Sequence, residues 1–156
     1  MPRTYSVTFE EVAVTAAQDL VEIKGAAGKI LRILRQYVAM TDTSPPTNQQ
    51  FALRSRFLPA TVTDGSGGTT PTPRPFDPGD AAASFTALVN NTVKATSSGT
   101  PTILEENGAN AFAGYDYMFP RPPIIGPSEA FVFELLAAPG GTPHLSGGVV
   151  VEESGG

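Results

Sequence analysis

Cysteine is absent from the 156 residues, and histidine occurs once, as His144. Without thiols the chain has no disulfide, no thiolate nucleophile and no zinc–thiolate site, and it suits folding in a reducing compartment. His144 follows the stretch Pro139-Gly140-Gly141-Thr142-Pro143, and no Gly-x-Ser-x-Gly elbow supplies a nucleophile for it. It reads as a loop residue. Long apolar runs are also missing. The longest, residues 130–138, is interrupted by Glu134 and falls well short of the roughly 20 residues that span a bilayer. Met1-Pro2-Arg3-Thr4-Tyr5 lacks the basic-then-apolar order of a signal peptide. A soluble, non-secreted product outside the membrane is expected.

Other motifs also fail on inspection. Gly25-Ala26-Ala27-Gly28-Lys29 has two residues between its glycines and Ile30 after the lysine. A phosphate loop needs four residues there, then Ser or Thr to hold Mg²⁺, so this is a turn. The paired carboxylates Glu10-Glu11, Glu105-Glu106 and Glu152-Glu153 are sequence neighbours. On a strand such neighbours point to opposite faces, so they read as solvated edges and chain ends. Asn90-Asn91-Thr92 matches a glycosylation acceptor but carries no weight without secretion. No catalysis, cofactor, metal or small-molecule substrate is expected.

Charge gives two further hints. The net charge of −5 and pI of about 4.8 disfavour nucleic-acid binding. Yet between Lys24 and Thr63 there are six bases (Lys24, Lys29, Arg32, Arg35, Arg54, Arg56) against one acid, Asp42. These are either solvated strand faces or a basic patch for an acidic protein partner.

What the chain does have is alternation and turns. There are 16 Gly and 15 Pro, clustered between apolar runs, as expected of many short strands. In Phe51-Ala52-Leu53-Arg54-Ser55-Arg56-Phe57-Leu58, the residues Phe51, Leu53 and Phe57 share one strand face, and Arg54 and Arg56 the other. This strand is expected to run on through Thr61-Val62-Thr63. Tyr5, Val7 and Phe9 alternate likewise, and Val12-Ala13-Val14 continues after a bulge at Glu10-Glu11. Asp19 to Ile23 is a second strand. Ile30 to Val38 is a third, with Leu31, Ile33 and Tyr37 on one face and Arg32 and Gln36 on the other. Its spacing of Ile30, Leu34 and Val38 also fits a helix. Thr41 to Asn48, with Pro45-Pro46, is a loop.

Asp64 to Gly68 is a flexible turn. Pro71 to Asp80 is an extended arm, because each proline fixes φ and blocks helix and ladder. Asp80 could cap a short helix over Ala81-Ala82-Ala83, followed by a strand through Phe85, Ala87 and Val89. Thr102 to Glu105 is a brief strand and Asn107-Gly108 a hairpin signal. Phe112 to Phe119, Ala130 to Ala137 and Leu145 to Glu152 complete nine candidate strands. The whole, residues 1–156, is expected to be one all-β domain: an antiparallel β-sandwich of jelly-roll type, crossed by the Pro-rich arm. Residues 1–5, 64–80 and 153–156 are expected to be flexible or arm-like.

Tyr115, Tyr117 and Phe119 share one strand face, which makes them core or interface, or else a sugar platform. Residues 130–138 are apolar on both faces. Phe131, Phe133 and Leu135 can fill the sandwich, and Val132 and Leu136 need another cover, a loop or a neighbouring subunit. Self-association is the economical answer, with Val132, Leu136, Tyr115 and Tyr117 at the subunit interface.

Four segments carry a family likeness: Val12-Ala13-Val14-Thr15-Ala16-Ala17-Gln18-Asp19-Leu20-Val21-Glu22-Ile23, Phe76-Asp77-Pro78-Gly79-Asp80-Ala81-Ala82-Ala83, Val89-Asn90-Asn91-Thr92, and the ending Leu145-Ser146-Gly147-Gly148-Val149-Val150-Val151-Glu152-Glu153. Together the chain resembles short proteins encoded in tailed-bacteriophage and prophage genomes. The resemblance implies a capsid decoration (cement) protein, made in the bacterial cytoplasm and carried on the virion surface. Its implied subunit is jelly-roll or tumour-necrosis-factor-like, in a homotrimer bound to the major capsid protein. On that reading residues 1–5 or 69–80 supply bridging arms, with Arg74 and Phe76 at the contact. Arg54 and Arg56, with Arg32 or Arg35, would then face an acidic shell. A receptor- or glycan-binding module of a head fibre or tail tip is the alternative.

Overall fold

The computed structural model describes residues 1–43, 47 and 50–155, so the loop expected at Pro45-Pro46 lies outside the described residues. The strands are β1 (Arg3–Ala13), β2 (Gln18–Lys24), β3 (Ile30–Met40), β4 (Gln50–Leu58), β5 (Val62–Thr63), β6 (Arg74–Pro75) and β7 (Thr86–Asn91). They continue as β8 (Thr96–Ser97), β9 (Thr102–Asn110), β10 (Tyr115–Met118), β11 (Ile124–Ile125), β12 (Ala130–Leu135) and β13 (His144–Ser154). No helix occurs among the described residues, so neither the helical option for residues 30–38 nor a capped helix after Asp80 is realised.

Two antiparallel sheets face each other. One runs β10-β3-β13-β1-β6, with β11 also on β3, and the other runs β7-β2-β12-β4-β9. Pairing is nested: β1 lies beside β13, β2 beside β12, β3 beside β10 and β4 beside β9. The expected all-β sandwich is therefore the fold. Its interior is filled from both sheets by Tyr5, Val7, Ile23, Ile33, Leu53, Phe131, Phe133 and Val151, all essentially without exposure. Each such side chain contributes roughly 1.5–3 kcal/mol by leaving water.

Bulges decide which side chains face inward. The expected bulge at Glu10-Glu11 is present: the register with β13 shifts between Phe9 and Val12, and Glu11 has φ 50°. A second bulge lies at Leu34 in β3, because Arg35 pairs with Val150 and Ile33 with Val151. It reverses the alternation. Leu31 and Ile33 point inward, but beyond the bulge so do Gln36 and Val38, and Tyr37 points out, contrary to its expected face.

Other expectations are corrected by tertiary pairing. The strand at Phe51 ends at Leu58, because Pro59 and Ala60 (φ 62°) turn the chain, and Val62–Thr63 pairs instead with Thr96–Ser97. Asn107-Gly108 sits inside β9, opposite Leu53 and Ala52, and the real turn lies at residues 111–114, where Gly114 has φ 73°. Phe112 therefore belongs to a turn. Arg3–Tyr5 and Glu153–Ser154 are ladder residues of β1 and β13 rather than arms. His144 opens β13.

The Pro-rich crossover is extended, as expected, and it is anchored. Ser66 and Thr69 bridge to Val93 and Val89, and Arg74–Pro75 pairs with Ser6 and Tyr5. The Phe76 N–H donates to the Thr4 carbonyl at 2.9 Å, and the Tyr5 hydroxyl donates to the Ala81 carbonyl at 2.9 Å. The crossover thus becomes the outer strand of one sheet edge.

Candidate functional site: matched charges and two open sides

The outer face of the second sheet carries an ionic layer. Asp19, Glu134 and Arg54 stand opposite one another across β2, β12 and β4. Arg54 Nε donates to Glu134 Oε1, and Lys94 Nζ reaches Glu134 Oε2 at 3.0 Å. Arg56 Nη2 lies 3.3 Å from Asp19 Oδ1 and donates to the Ala95 carbonyl at 3.0 Å. Asp19 and Glu134 are fully buried, and Lys94 and Ala95, just ahead of β8, contact Glu134 and Asp19 respectively. Burial lifts the Asp19 carboxyl above its ordinary pKa, against the pull of the Ala95 N–H and of Arg56.

The remaining bases of this stretch are matched as well. Arg32 Nη1 meets Glu152 Oε1 at 3.0 Å, and Lys24 Nζ meets Asp64 Oδ1 at 2.6 Å. Arg35 grips both oxygens of Asp116 and lies over the Tyr37 ring at 4.6 Å. This grip holds the Asp116 carboxyl below the usual range. Lys29 Nζ donates to the Gly155 carbonyl at 2.9 Å. The excess of bases in sequence is therefore matched in space. Arg32, Arg35, Arg54 and Arg56 are each engaged with a carboxylate of their own chain, Arg32 and Arg35 in pairs that stay open to solvent. Arg74 is exposed and in no ion pair among the described residues.

Glu22, also on this outer face, is 1 % exposed. Its Oε2 accepts the Gly65 N–H at 3.0 Å and the Asn91 amide at 3.2 Å, while Oε1 is buried with no partner. Burial is the chief reason its pKa is pushed up to about 7, and Asp64 and Asp19 add to it. Glu153, read as a solvated chain end, is instead buried and accepts from the Ser84 N–H at 2.8 Å. Sequence reading missed these carboxylates. The available signal was their interruption of otherwise apolar strands.

The residues expected at a subunit interface lie differently. Val132 has no exposure: Leu58, Val62, Ala95 and Ala130 cover it from within the chain. A loop, not a neighbouring subunit, is its cover, and the interface assignment for Val132 is corrected. Leu136 is half-buried, with its N–H on the Ala52 carbonyl at 2.8 Å. Tyr115 and Tyr117 are half-buried with their rings turned inward: Tyr115 stacks on Phe133, and Tyr117 meets Phe119, which in turn meets Phe131. That row is core.

A polar chain crosses the sandwich beside it. Ser55 Oγ donates to Gln36 Oε1 at 2.6 Å, Gln36 Nε2 donates to Glu105 Oε2 at 2.9 Å, and the Tyr115 hydroxyl donates to Glu105 Oε1. Burial and the Glu105 contact raise the Tyr115 hydroxyl pKa far above its ordinary value. Tyr115→Phe leaves Glu105 and Gln36 short of a partner and is expected to cost about 1–2 kcal/mol. Urea unfolding checks this, and an unchanged midpoint would contradict it.

The exposed large apolar side chains concentrate at the sheet edges. Phe76 (63 % exposed) stands beside Arg74 on the arm, in a cleft of about 410 Å³ with Arg3, Asp77 and Asp80. At the opposite edge are Ile103 and Leu104 on β9, Phe112 in the following turn, Met118 on β10 and Ile124 on β11. His144 Nδ1 lies 2.9 Å from Asp42 Oδ2 near Glu11, and the His144 contact holds the Asp42 carboxyl below its usual range. No hydroxyl meets that ring among the described residues, and no group of three or more His, Cys, Asp or Glu there is placed to hold a metal ion. Comparison with protein-family models, with curated proteins and with solved structures finds no match.

Proposed function

We propose that this chain is a structural docking module of a tailed-bacteriophage virion, a decoration protein that binds the shell through its arm and associates with further copies of itself. The observation that carries this reading is the separation of charge from contact surface. The arginines of the basic stretch are matched internally, while Phe76 and Arg74 project from one sheet edge and the apolar group around Met118 from the other. A bridging protein needs two such opposed surfaces on a rigid body. The nested pairing β1/β13, β2/β12, β3/β10 and β4/β9 supports reading the sandwich as a jelly roll with β7 added, an architecture used by viral capsid and lectin domains. That last step is analogy at the level of fold.

The account predicts that Phe76→Ala with Arg74→Ala lowers attachment to particles at least tenfold while leaving thermal stability within about 0.5 kcal/mol, because both side chains are exposed. Co-sedimentation with purified particles reads the first and calorimetry the second. Unchanged attachment would remove the arm from the contact. Electron microscopy of particles carrying the chain should place it on the shell, and a position confined to the tail tip would exclude decoration. The glycan-binding alternative draws support from one observation: the Phe76 cleft combines an aromatic ring with Arg3, Asp77 and Asp80. Glycan-array binding that is lost in Phe76→Ala would favour it.

A further inference from the structure

We infer that Asn107-Gly108, on the rim of the second sheet, is a site of spontaneous modification, where the Asn107 side-chain amide passes through a cyclic imide to a carboxylate and thereby loosens β9. The inference stands apart from what the arm binds.

This is the one Asn-Gly pair in the sequence. It lies in β9, the terminal strand of its sheet, and both residues are exposed. Pairing decides where its peptide groups point. The Ala52 carbonyl accepts the Leu136 N–H beside β12, and in an antiparallel strand the N–H and C=O of one residue point to the same side. Gly108 stands opposite Ala52, so its own N–H points away from β4, towards the open edge. There it donates to Asn107 Oδ1 at 2.9 Å, while Asn107 Nδ2 faces Glu105 Oε1 at 3.5 Å. The attacking nitrogen is therefore free of the ladder and already beside the amide it must reach. Space is open as well. A hollow of about 320 Å³ adjoins the pair, and a Cβ added to Gly108 would meet nothing nearer than Gln50 Oε1 at 3.8 Å.

In the reaction the Gly108 nitrogen gives its proton to solvent and bonds to Asn107 Cγ. The Cγ–Nδ2 bond breaks, and ammonia leaves with a proton from water. Water then opens the ring. Attack at Cγ leaves Asp at this position, and attack at the main-chain carbonyl carries the backbone through Cγ, one methylene longer. Extended backbone keeps the nitrogen off Cγ, so each event waits for local opening of the edge strand. Either product sets a new negative charge beside Glu105 and Glu106, and the longer backbone also spoils the register with β4. Internal controls exist. Asp64-Gly65 has the composition for the same ring, but buried Glu22 holds the Gly65 N–H, and a Cβ there would meet Asn91 Nδ2 at 2.6 Å. Asn90 and Asn91 are themselves buried.

Peptide mapping by mass spectrometry of the purified full-length chain, held at mildly alkaline pH and physiological temperature, tests this. Asn107 should convert first, giving both the normal and the lengthened product, while Asp64, Asn90 and Asn91 stay intact. Gly108→Ala fits the open space and should slow conversion about tenfold with circular dichroism unchanged, because its Cβ restricts the backbone. Asn107→Gln should stop it, since the ring would be one atom larger. The converted chain, separated by anion exchange, should unfold at lower urea than the fresh one. Earlier conversion elsewhere, an Asn107 that stays intact while the chain is folded, a Gly108→Ala rate equal to wild type, or an unchanged urea midpoint overturns the inference. None of these results bears on attachment through Phe76, so the two readings fail separately.

Discussion

Glu134→Ala is expected to cost about 3–5 kcal/mol, the largest effect of any single substitution considered, although the residue touches no outer surface. Glu134 is fully buried at the centre of β12 and takes Arg54 on one oxygen and Lys94 on the other, with Arg56 Nε 3.4 Å away. Removing it leaves three cations against Asp19 alone, and of these Arg56, 12 % exposed, is the one most shielded from water, with Arg54 and Lys94 keeping 27 % and 30 % exposure. The attraction lost is then compounded by charges that stay desolvated without a partner. Denaturant unfolding measures the cost. Coupling to Arg54→Met in a double-mutant cycle should recover part of it, since that change removes one of the stranded cations. A loss below about 1 kcal/mol would mean that the layer is wet and its charges individually solvated.

Glu22→Gln is expected to stabilise the fold above pH 7 and to destabilise it slightly in acid. The carboxyl is pushed from 4.5 to about 7 on folding, so between those pH values the folded chain holds a proton that the unfolded chain has released. Stability therefore falls as pH rises through this window and stays lowered above it, by roughly 3 kcal/mol when the two values are compared. The amide is always neutral and escapes that penalty. One of its N–H groups would stand where Oε1 is now unpartnered, which returns about 1 kcal/mol. A net gain of about 2 kcal/mol, or roughly 4–8 °C in Tm, should appear at pH 8 and give way to a loss of about 1 kcal/mol below pH 4.5. Calorimetry across that range checks it, and a gain independent of pH would disprove the assignment.

Periodicity reveals the strands but not their register. Phe51, Leu53, Arg54 and Arg56 could be placed on their faces from alternation alone, and the bulge at Glu10-Glu11 was visible as a polar pair between apolar runs. The bulge at Leu34 left no such mark, because Leu34 is itself apolar, and so the faces of Gln36 and Tyr37 were reversed. Asn107-Gly108 has the composition of a tight turn, yet pairing with β4 holds it straight. The cover over Val132 was illegible for another reason. It comes from short, polar, Gly-rich segments around Val62 and Ala95, which carry little hydrophobic signal. The candidate site suffered most. Whether a run of arginines is a docking patch or half of an internal network depends on which carboxylates lie opposite, and Asp19, Glu134 and Glu152 are distant in sequence from their partners. Arg74 and Phe76 are exposed on the proline-fixed arm, which by itself does not say what they meet.

The central claim is that this protein satisfies its own charges and docks through the apolar arm. Attachment of the purified chain to particles stripped of it, followed by co-sedimentation across a salt series, tests this most directly. With Phe76 as anchor and Arg74 as the free cation, binding should change less than threefold between roughly 50 and 500 mM NaCl, because apolar contacts are not screened. A fall of a hundredfold or more over that range would show the arginines of β3 and β4 at work on the shell, and would contradict the account.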